Sequence, residues 1–387
     1  MMEEGNIVYP ATVDKEFAIE ISKEEDCKEI WNCIQCGICT GACPLSPLRS
    51  QNPRKIVAMI REGLKNNVLG AVDPCFLCGQ CQMLCPKGVK LKEVLLKLRE
   101  LNFKSGKVCE GLQFVNELLS SQFNPYMQPP EMRTQWLEAT GISSAFKDQS
   151  KVVYFAGCTA SYMDVSQEIP RTIVKLLTRL NEDWTLLNEE RCCGMPFLYI
   201  GNVDMAREFA LHNVKEIEKK GAEIVITGCP TCWHTLKFRY PKLLKNELKF
   251  NVVHITEYVA DKLTKGHVAI SKKISERVTY HDPCDLARYS MINVPREILK
   301  WITYDFVEMP LHGKDTLCCG GGGLMEAVDS KLRSNITMRR IKQAENVGAK
   351  ILATSCGGCK YYLSQAAAET KSGIQVKDIT ELLYSCL

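Results

Sequence analysis

The sequence predicts an α+β chain: a mainly helical N-terminal part, then two copies of one α/β unit. Three observations carry this. From residue 151 onward, short β-branched apolar runs alternate with helical stretches, which is the pattern of a parallel sheet. The cysteines of that half recur at a fixed offset. Cys158 and Cys284 stand 126 residues apart, as do Cys192 and Cys318, and Cys193 and Cys319; Cys229 and Cys356, and Cys232 and Cys359, stand 127 apart. A period this long marks a duplicated domain rather than a solenoid. Before residue 105 the apolar spacing is mainly helical.

The elements follow in order. Helices are expected at 24–34, 53–66 (PRKIVAMIREGLKN) and 90–104 (KLKEVLLKLRELNFK). Residues 105–150 read as helix and irregular connector, broken at the Pro-rich QFNPYMQPP (122–130). KVVYFAGC (151–158) is a strand stopped by a Gly-Cys turn, followed by a helix near 166–180 and a short strand WTLLN (184–188). MAREFALHNVKEIEKKG (205–221) has helical periodicity with Gly221 as its stop, and AEIVITGCPTC (222–232) is strand then loop, with a helix after it. The second copy repeats this with strand RVTYHDPC (277–284), a helix near 295–302, YDFVEMP (304–310), a helix near 325–347, AKILATSCGGC (349–359) and a last helix. Cys158, Cys229, Cys284 and Cys356 each fall just past the carboxyl end of a strand, where parallel sheets gather their sites.

At 387 residues the chain calls for two or three domains. The expected division is 1–107, a connector 108–150, a first repeat 151–270 and a second 271–387. A net charge of +4 gives no reason to expect nucleic acid as a partner. No apolar run approaches a membrane span, and MMEEGNIVYPATVDKE lacks the basic and apolar regions of a signal peptide. The expectation is a cytoplasmic chain, or one held at a membrane only through a partner. Cysteine is the outlier, with 21 residues. Without a secretion signal, that abundance favours metal binding or catalysis over disulfides. The six histidines show no paired spacing, so the expected donor is sulfur.

Cys33, Cys36, Cys39 and Cys43 form C-x2-C-x2-C-x3-C-P, and Cys75, Cys78, Cys81 and Cys85 repeat it. This is the bacterial-ferredoxin ligand run for [4Fe–4S] clusters, in which the fourth Cys of each run serves the other cluster. Two cubane clusters are therefore expected, one on Cys33, Cys36, Cys39 and Cys85, the other on Cys75, Cys78, Cys81 and Cys43. Such a pair relays single electrons and performs no chemistry of its own. Zinc knuckles are the alternative.

CCGMP (192–196) and CCGGG (318–322) raise a different question. Neighbouring cysteines rarely form a relaxed disulfide with each other. Each repeat supplies five thiols, one more than a cubane or a zinc ion requires. Adjacent side chains diverge, so vicinal thiolates reach different irons more readily than they chelate one. Gly194 and Gly320 would let the backbone pass close beside the group, and the glycines at 321–323 would leave open space there. From spacing alone, an unusual multi-iron cluster, a cubane with a spare Cys and a zinc site with a spare Cys all stay open.

The pattern C-x33-CCG-x34-C-x2-C followed by C-x33-CCG-x35-C-x2-C resembles the duplicated cysteine-rich CCG domain of heterodisulfide reductase. CIQCGICTGACP with CFLCGQCQMLCP resembles that enzyme's small ferredoxin-like C subunit, and the part from Lys151 onward its catalytic B subunit. The whole looks like C and B fused, or like the D subunit of the membrane-linked form. The resemblance implies two noncubane [4Fe–4S] clusters, one on Cys158, Cys192, Cys193, Cys229 and Cys232, the other on Cys284, Cys318, Cys319, Cys356 and Cys359. It implies reduction of the coenzyme M–coenzyme B disulfide where the two clusters face each other. It also implies redox partners: a flavin protein resembling the enzyme's A subunit, a membrane cytochrome-like protein, or a hydrogenase or formate dehydrogenase. Other relatives with CCG domains are electron-transfer subunits of glycolate, lactate and glycerol-3-phosphate dehydrogenases or of benzoyl-CoA reductase, so a pure relay is the alternative function. A zinc-stapled scaffold is the third.

Several residues carry no strong expectation. Cys27, Cys109 and Cys386 lie outside every motif and read as free or buried thiols. His281, Asp282 and His234 could hydrogen-bond cluster sulfur or donate a proton, or could serve as caps and turns. Arg54, Arg61 and Lys65 read as a solvated helix face. No phosphate-binding Gly motif is present, which assigns flavin or nicotinamide to a partner. The expected architecture is a helical two-cluster ferredoxin-like domain and two α/β CCG domains related by a pseudo-two-fold.

Overall fold

The computed structural model describes residues 13–387; the first twelve residues of the N-terminal reading lie outside the described part. The N-terminal part is helical, as expected, but two boundaries differ. The stretch 24–34 is a 3-10 helix, Glu25–Asn32, rather than an α-helix. The segment 53–66 is two helices, Pro53–Arg61 and Lys65–Leu69. Gly63 separates them at φ +72°, where a side chain would collide with the Asp14 carbonyl. The long helix Leu91–Lys104 and the connector helix Glu110–Gln122 complete this part, and a 3-10 segment, Pro130–Thr140, leads to the first sheet.

The first repeat is a four-stranded parallel sheet of order β2-β1-β3-β4, with β1 Val152–Phe155, β2 Trp184–Thr185, β3 Ile224–Thr227 and β4 Asn251–His254. Val152 lies opposite Ile224, and Ile224 opposite Asn251. The second repeat is a three-stranded parallel sheet of order β5-β6-β7, with β5 Val278–His281, β6 Ile351–Thr354 and β7 Gln375–Asp378. The expected counterpart of β2, residues 304–310, meets β5 only at the isolated Val278–Phe306 bridge. Strands β4 and β7 have no equivalent among the sequence expectations. Both begin on a polar residue and alternate buried with less buried positions, a weak signal beside the buried β1 and β6.

The repeats pack through reciprocal contacts. Helix Ile255–Thr264 of the first meets helix Asn293–Ile302 of the second, while helix Ile379–Ser385 of the second meets helix Glu168–Arg179 of the first. Each contact joins the helix after a repeat's last strand to the first long helix of the other, as an isologous pairing requires. Apolar residues from the strands and helices of both repeats form one shared core there, including Tyr154, Ile173, Val278 and Leu299. The carboxyl ends of β1, β3, β5 and β6 are thereby turned toward common ground.

Candidate functional site

Two small cavities lie in the N-terminal part. One, of about 20 Å³, is lined by Cys33, Cys36, Cys39 and Cys85. The other, of about 40 Å³, is lined by Cys75, Cys78, Cys81 and Cys43. Each cavity thus takes three thiols from one run and the fourth from the other. Gly37 and Gly79, both left-handed, turn the chain within the runs at φ +84° and +73°. Cys36 is exposed, while burial pushes the Cys75 thiol up to about 12.

Between the repeats lies a cavity of about 530 Å³, and all ten cysteines of the CCG groups line it. In the first repeat neighbouring thiols influence one another in the order Cys158, Cys192, Cys193, Cys232, Cys229. In the second the order is Cys318, Cys319, Cys359, Cys356, with Cys284 close enough to feel the charge of Cys319. Cys193 and Cys319 occupy matching centres. Each is flanked by two neighbouring thiols, which lower its own thiol well below the usual range. Gly157 sits at φ +77°, and a Cβ there would stand 3.0 Å from the Cys232 sulfur.

Different polar groups serve the two thiol sets. In the first repeat Arg133 donates to Cys158 Sγ at 3.5 Å and to Glu190 at 2.9 Å. Glu190 in turn accepts the amides of Ala156 and Gly157, fixing the turn after β1. In the second, Arg340 Nε donates to His281 Nδ1 at 3.0 Å. Arginine can only donate, so the imidazole proton resides on Nε2. The ligand atoms of His281, Cys319 and Cys359 lie within 4.8 Å of one another. His281 is thus aimed at the thiols, whereas Asp282 is structural, accepting both Arg296 amines and the Gly313 amide. His234 pairs with the Tyr289 hydroxyl at 2.6 Å, and burial pushes its imidazole down to about 3.

The N-terminal part is seated on this cavity by backbone-to-backbone approach. Gly322 lies against the Phe76 carbonyl and Gly323 against that of Cys75, each too close for any Cβ. Gly321 faces the Tyr362 ring at a similarly short distance. The open space expected at 321–323 is therefore filled, because these glycines admit a neighbouring chain segment. Cys78 is electrostatically coupled to both Cys284 and Cys318, and Phe76, Cys318 and Met325 share an apolar cluster. Buried Arg99 binds the junction, donating to the carbonyls of Asp73, Cys75, Tyr199 and Gly323.

Arg54 is exposed, as a solvated helix face requires, and it also borders the Cys36 cavity. Arg61, also exposed, donates to the Cys33 carbonyl at 2.8 Å, and Lys65 bridges Asp14 and Glu20 as a surface cation does. Cys27, Cys109 and Cys386 pack into apolar clusters away from all three cavities. Arg99, Arg133 and Arg340 were not legible as site residues. Each is one cation in an ordinary stretch of sequence, and only folding reveals what it touches.

The donor sets fit iron–sulfur clusters. Every cysteine is free of disulfides, and four or five soft sulfur donors converge on each locus. The backbone cradle at Gly157 leaves room beside the sulfurs that any side chain would fill. A 4Fe-4S dicluster domain matches residues 29–89, and a cysteine-rich domain of the CCG family matches 152–237 and again 278–364. The chain is 33% identical to the D subunit of the dihydromethanophenazine:CoB–CoM heterodisulfide reductase of Methanosarcina barkeri, over 93% of this chain and 94% of that one. It is 24% identical to the B subunit of the fumarate reductase (CoM/CoB) of Methanothermobacter marburgensis, over 93% of this chain and 73% of that one. It is also 24% identical to the EtfAB:quinone oxidoreductase of Syntrophomonas wolfei, over 85% of this chain and 48% of that one. Among solved structures, a hypothetical protein from Helicobacter pylori shares the fold at TM-score 0.56 and 11% identity, over 97% of this chain and 77% of that one. No helix among the described residues is long and apolar enough to cross a membrane.

Proposed function

The chain belongs to the family of the heterodisulfide reductase D subunit, iron–sulfur oxidoreductases, and from that premise we propose that it reduces a disulfide in the cavity between its repeats. Cys33, Cys36, Cys39 and Cys85 would hold one cubane cluster, and Cys75, Cys78, Cys81 and Cys43 the second. Cys158, Cys192, Cys193, Cys229 and Cys232 would hold one noncubane cluster, and Cys284, Cys318, Cys319, Cys356 and Cys359 the other. When bound, these groups supply one-electron transfer and, in the cavity, iron that accepts a thiolate. Cleaving a disulfide consumes two electrons and two protons and releases two thiols.

The chain's own residues divide the work. Exposed Trp31, Ile34 and Ile38 surround the Cys36 loop and form the surface on which an electron-donating partner docks. Arg99 and Gly323 hold the Cys75 run against the second repeat, which makes that repeat the entry point of the cavity. Arg133 and His281 fix the thiols they face. The apolar walls keep bulk water from the sulfurs.

The observation that carries this reading is that all ten CCG thiols line one cavity roomy enough for a further ligand. The direct test supplies anaerobically purified protein with a reduced viologen and a panel of disulfides, the coenzyme M–coenzyme B disulfide first. Such protein should carry about 16 irons, four clusters of four. Stoichiometric zinc with little iron would end the redox reading. Full iron content with no turnover of any disulfide would leave the second reading, a relay inside a larger complex. The relatives named for fumarate reduction and quinone reduction favour that second reading.

A further inference from the structure

Arg333 is a buried cation with a donor to spare. Its side chain is 8% exposed and its Nη1 is sealed from solvent without a hydrogen-bond partner, while Nε donates to Glu326 at 2.7 Å. The guanidinium lies over the Tyr362 ring, 5.1 Å from its centre. Arg333 stands behind the wall of the central cavity, against Glu326 and Tyr362, which both line it. The other arginines beside the thiols are more fully engaged. Arg133 is held by Glu190 and the Phe123 carbonyl besides Cys158, and Arg340 by His281, the Leu311 carbonyl and Gln343.

Glu326 is the looser member of the pair. Its side chain is 51% exposed, and it sits in a one-turn helix, Met325–Val328, that Leu324 enters at φ +58°. An ion pair to a half-exposed carboxylate is weak and exchanges readily. A buried guanidinium, by contrast, cannot give up one anion unless another takes its place. The first repeat has no equivalent. Gly194 and Gly320 follow the paired cysteines, and each packs on the next long helix, Gly194 on Ala206 and Gly320 on Arg333. Ala206 thus stands where the second repeat has its arginine.

The charge of the cavity gives this cation its importance. The clusters proposed there are bound by thiolates and add negative charge, and Asp285 in the wall is already matched by Lys92 at 3.0 Å. An anion that enters loses water and is repelled unless a cation receives it. Resting on the reading that this cavity reduces a disulfide, we propose that Arg333 is its specificity-determining residue. A sulfonate, carboxylate or phosphate on one half of the disulfide displaces the Glu326 carboxylate and accepts from Nε and Nη1, a fork suited to such oxygens. Glu326 turns to solvent. The anion-bearing half is thereby directed to the second repeat and the other half to the first.

The test uses the holoprotein with reduced viologen, dipropyl disulfide, and propyl 2-sulfoethyl disulfide with its carboxylate and phosphate analogues. In the parent, kcat/KM should favour an anionic substrate by at least about tenfold, the scale of one charge-assisted hydrogen bond, with the difference residing in KM. Arg333→Met should bring the ratio to about one, and Arg333→Lys should restore part of it. Glu326→Gln removes the competing carboxylate and should widen the ratio. The last two variants keep the buried charge, so the proposal stays testable if Arg333→Met does not fold. Independently of turnover, calorimetry on the oxidised protein should show 2-(propylthio)ethanesulfonate, a thioether that cannot be reduced, binding to the parent and not to Arg333→Met. A ratio near one in the parent for all three anions overturns the inference and leaves the reductase reading standing, as does a ratio that Arg333→Lys and Glu326→Gln both leave unchanged. Thioether binding that depends on Arg333, without turnover of any disulfide, keeps the anion site and ends the reductase reading. Neither turnover nor binding, with all clusters present, overturns both.

Discussion

His281 shows how one side chain distinguishes two otherwise matching halves. Its position in the second repeat corresponds to Phe155 in the first, at the end of β1. Arg340 occupies Nδ1, and Nε2, buried with no hydrogen-bond partner of its own, lies beside the Cys319 and Cys359 thiols; burial pushes the imidazole below its ordinary range. A hydrogen bond to cluster sulfur stabilises the more negative, reduced state. His281→Phe, which installs the residue of the first repeat, should therefore retain iron and lower the potential of one cavity signal by up to ~100 mV, the one-electron equivalent of a charge-assisted hydrogen bond. A redox titration followed by paramagnetic resonance reads this directly, and an unchanged potential would remove His281 from the site. The cysteines make a complementary prediction. Cys193→Ser or Cys319→Ser should cost the cavity its iron and leave the N-terminal signals intact, whereas Cys36→Ser or Cys78→Ser should do the reverse. Iron analysis and spectra of the four variants decide it.

At the scale of elements, the two inter-repeat helices begin with matching capping boxes. His254 with Glu257 caps Ile255–Thr264, and Asp378 with Glu381 caps Ile379–Ser385. The caps are chemically unequal. Burial and nearby Glu381 raise the Asp378 carboxyl to about 7, against the hydrogen bonds from Thr380 and the charge of Lys360. One of its oxygens is buried without a partner, as suits a protonated acid. The folded state thus holds a proton that the unfolded chain releases above about pH 4, so this group costs stability progressively as pH rises from about 4 to about 7 and by a constant amount above that. Asp378→Asn keeps the cap and removes the titration. Its thermal midpoint should exceed that of the parent at pH 8, by the equivalent of up to ~4 kcal/mol, and the gain should vanish at pH 4. A gain that did not depend on pH would show that Asp378 does not titrate as its burial requires.

The whole molecule is organised around the seam where the N-terminal part meets the second repeat. Gly323 stands at φ +63° with the Cys75 carbonyl 2.1 Å from where a Cβ would be. Gly323→Ala must push the Cys75 run outward. It should leave iron content unchanged while slowing electron transfer into the cavity by at least about tenfold, since loss of contact at a site's supporting shell is costly well out of proportion to its size. Rapid-mixing reduction, watched separately at the N-terminal and cavity signals, measures it. Arg99 supports the same seam from within. Arg99→Met would strand carbonyls of Asp73, Cys75, Tyr199 and Gly323 in the interior, at about 1–3 kcal/mol for each group left without water or a partner. Limited proteolysis should then release the N-terminal part from the repeats, and an unchanged digest would show that the seam is held by something else.

The cysteine runs, the 126-residue offset and the alternation of strands with helices were all legible in the sequence, because they are local or periodic. Spacing within CIQCGICTGACP fixes how a short loop can wrap, and buried strands such as VVYF and ILAT announce themselves by composition. Thiols at strand carboxyl ends followed from the same periodicity. Strands β4 and β7 escaped because half of each faces a polar surrounding, which weakens the composition that betrays a strand. Only the tertiary structure decided that the glycines after Cys319 receive the Cys75 run, that Arg133 and His281 attend different thiol sets, and that Arg333 stands behind Glu326 at the cavity wall. Those facts join residues up to hundreds of positions apart. A sequence fixes which groups are available, but the field and free space at a site depend on which distant groups folding brings beside it.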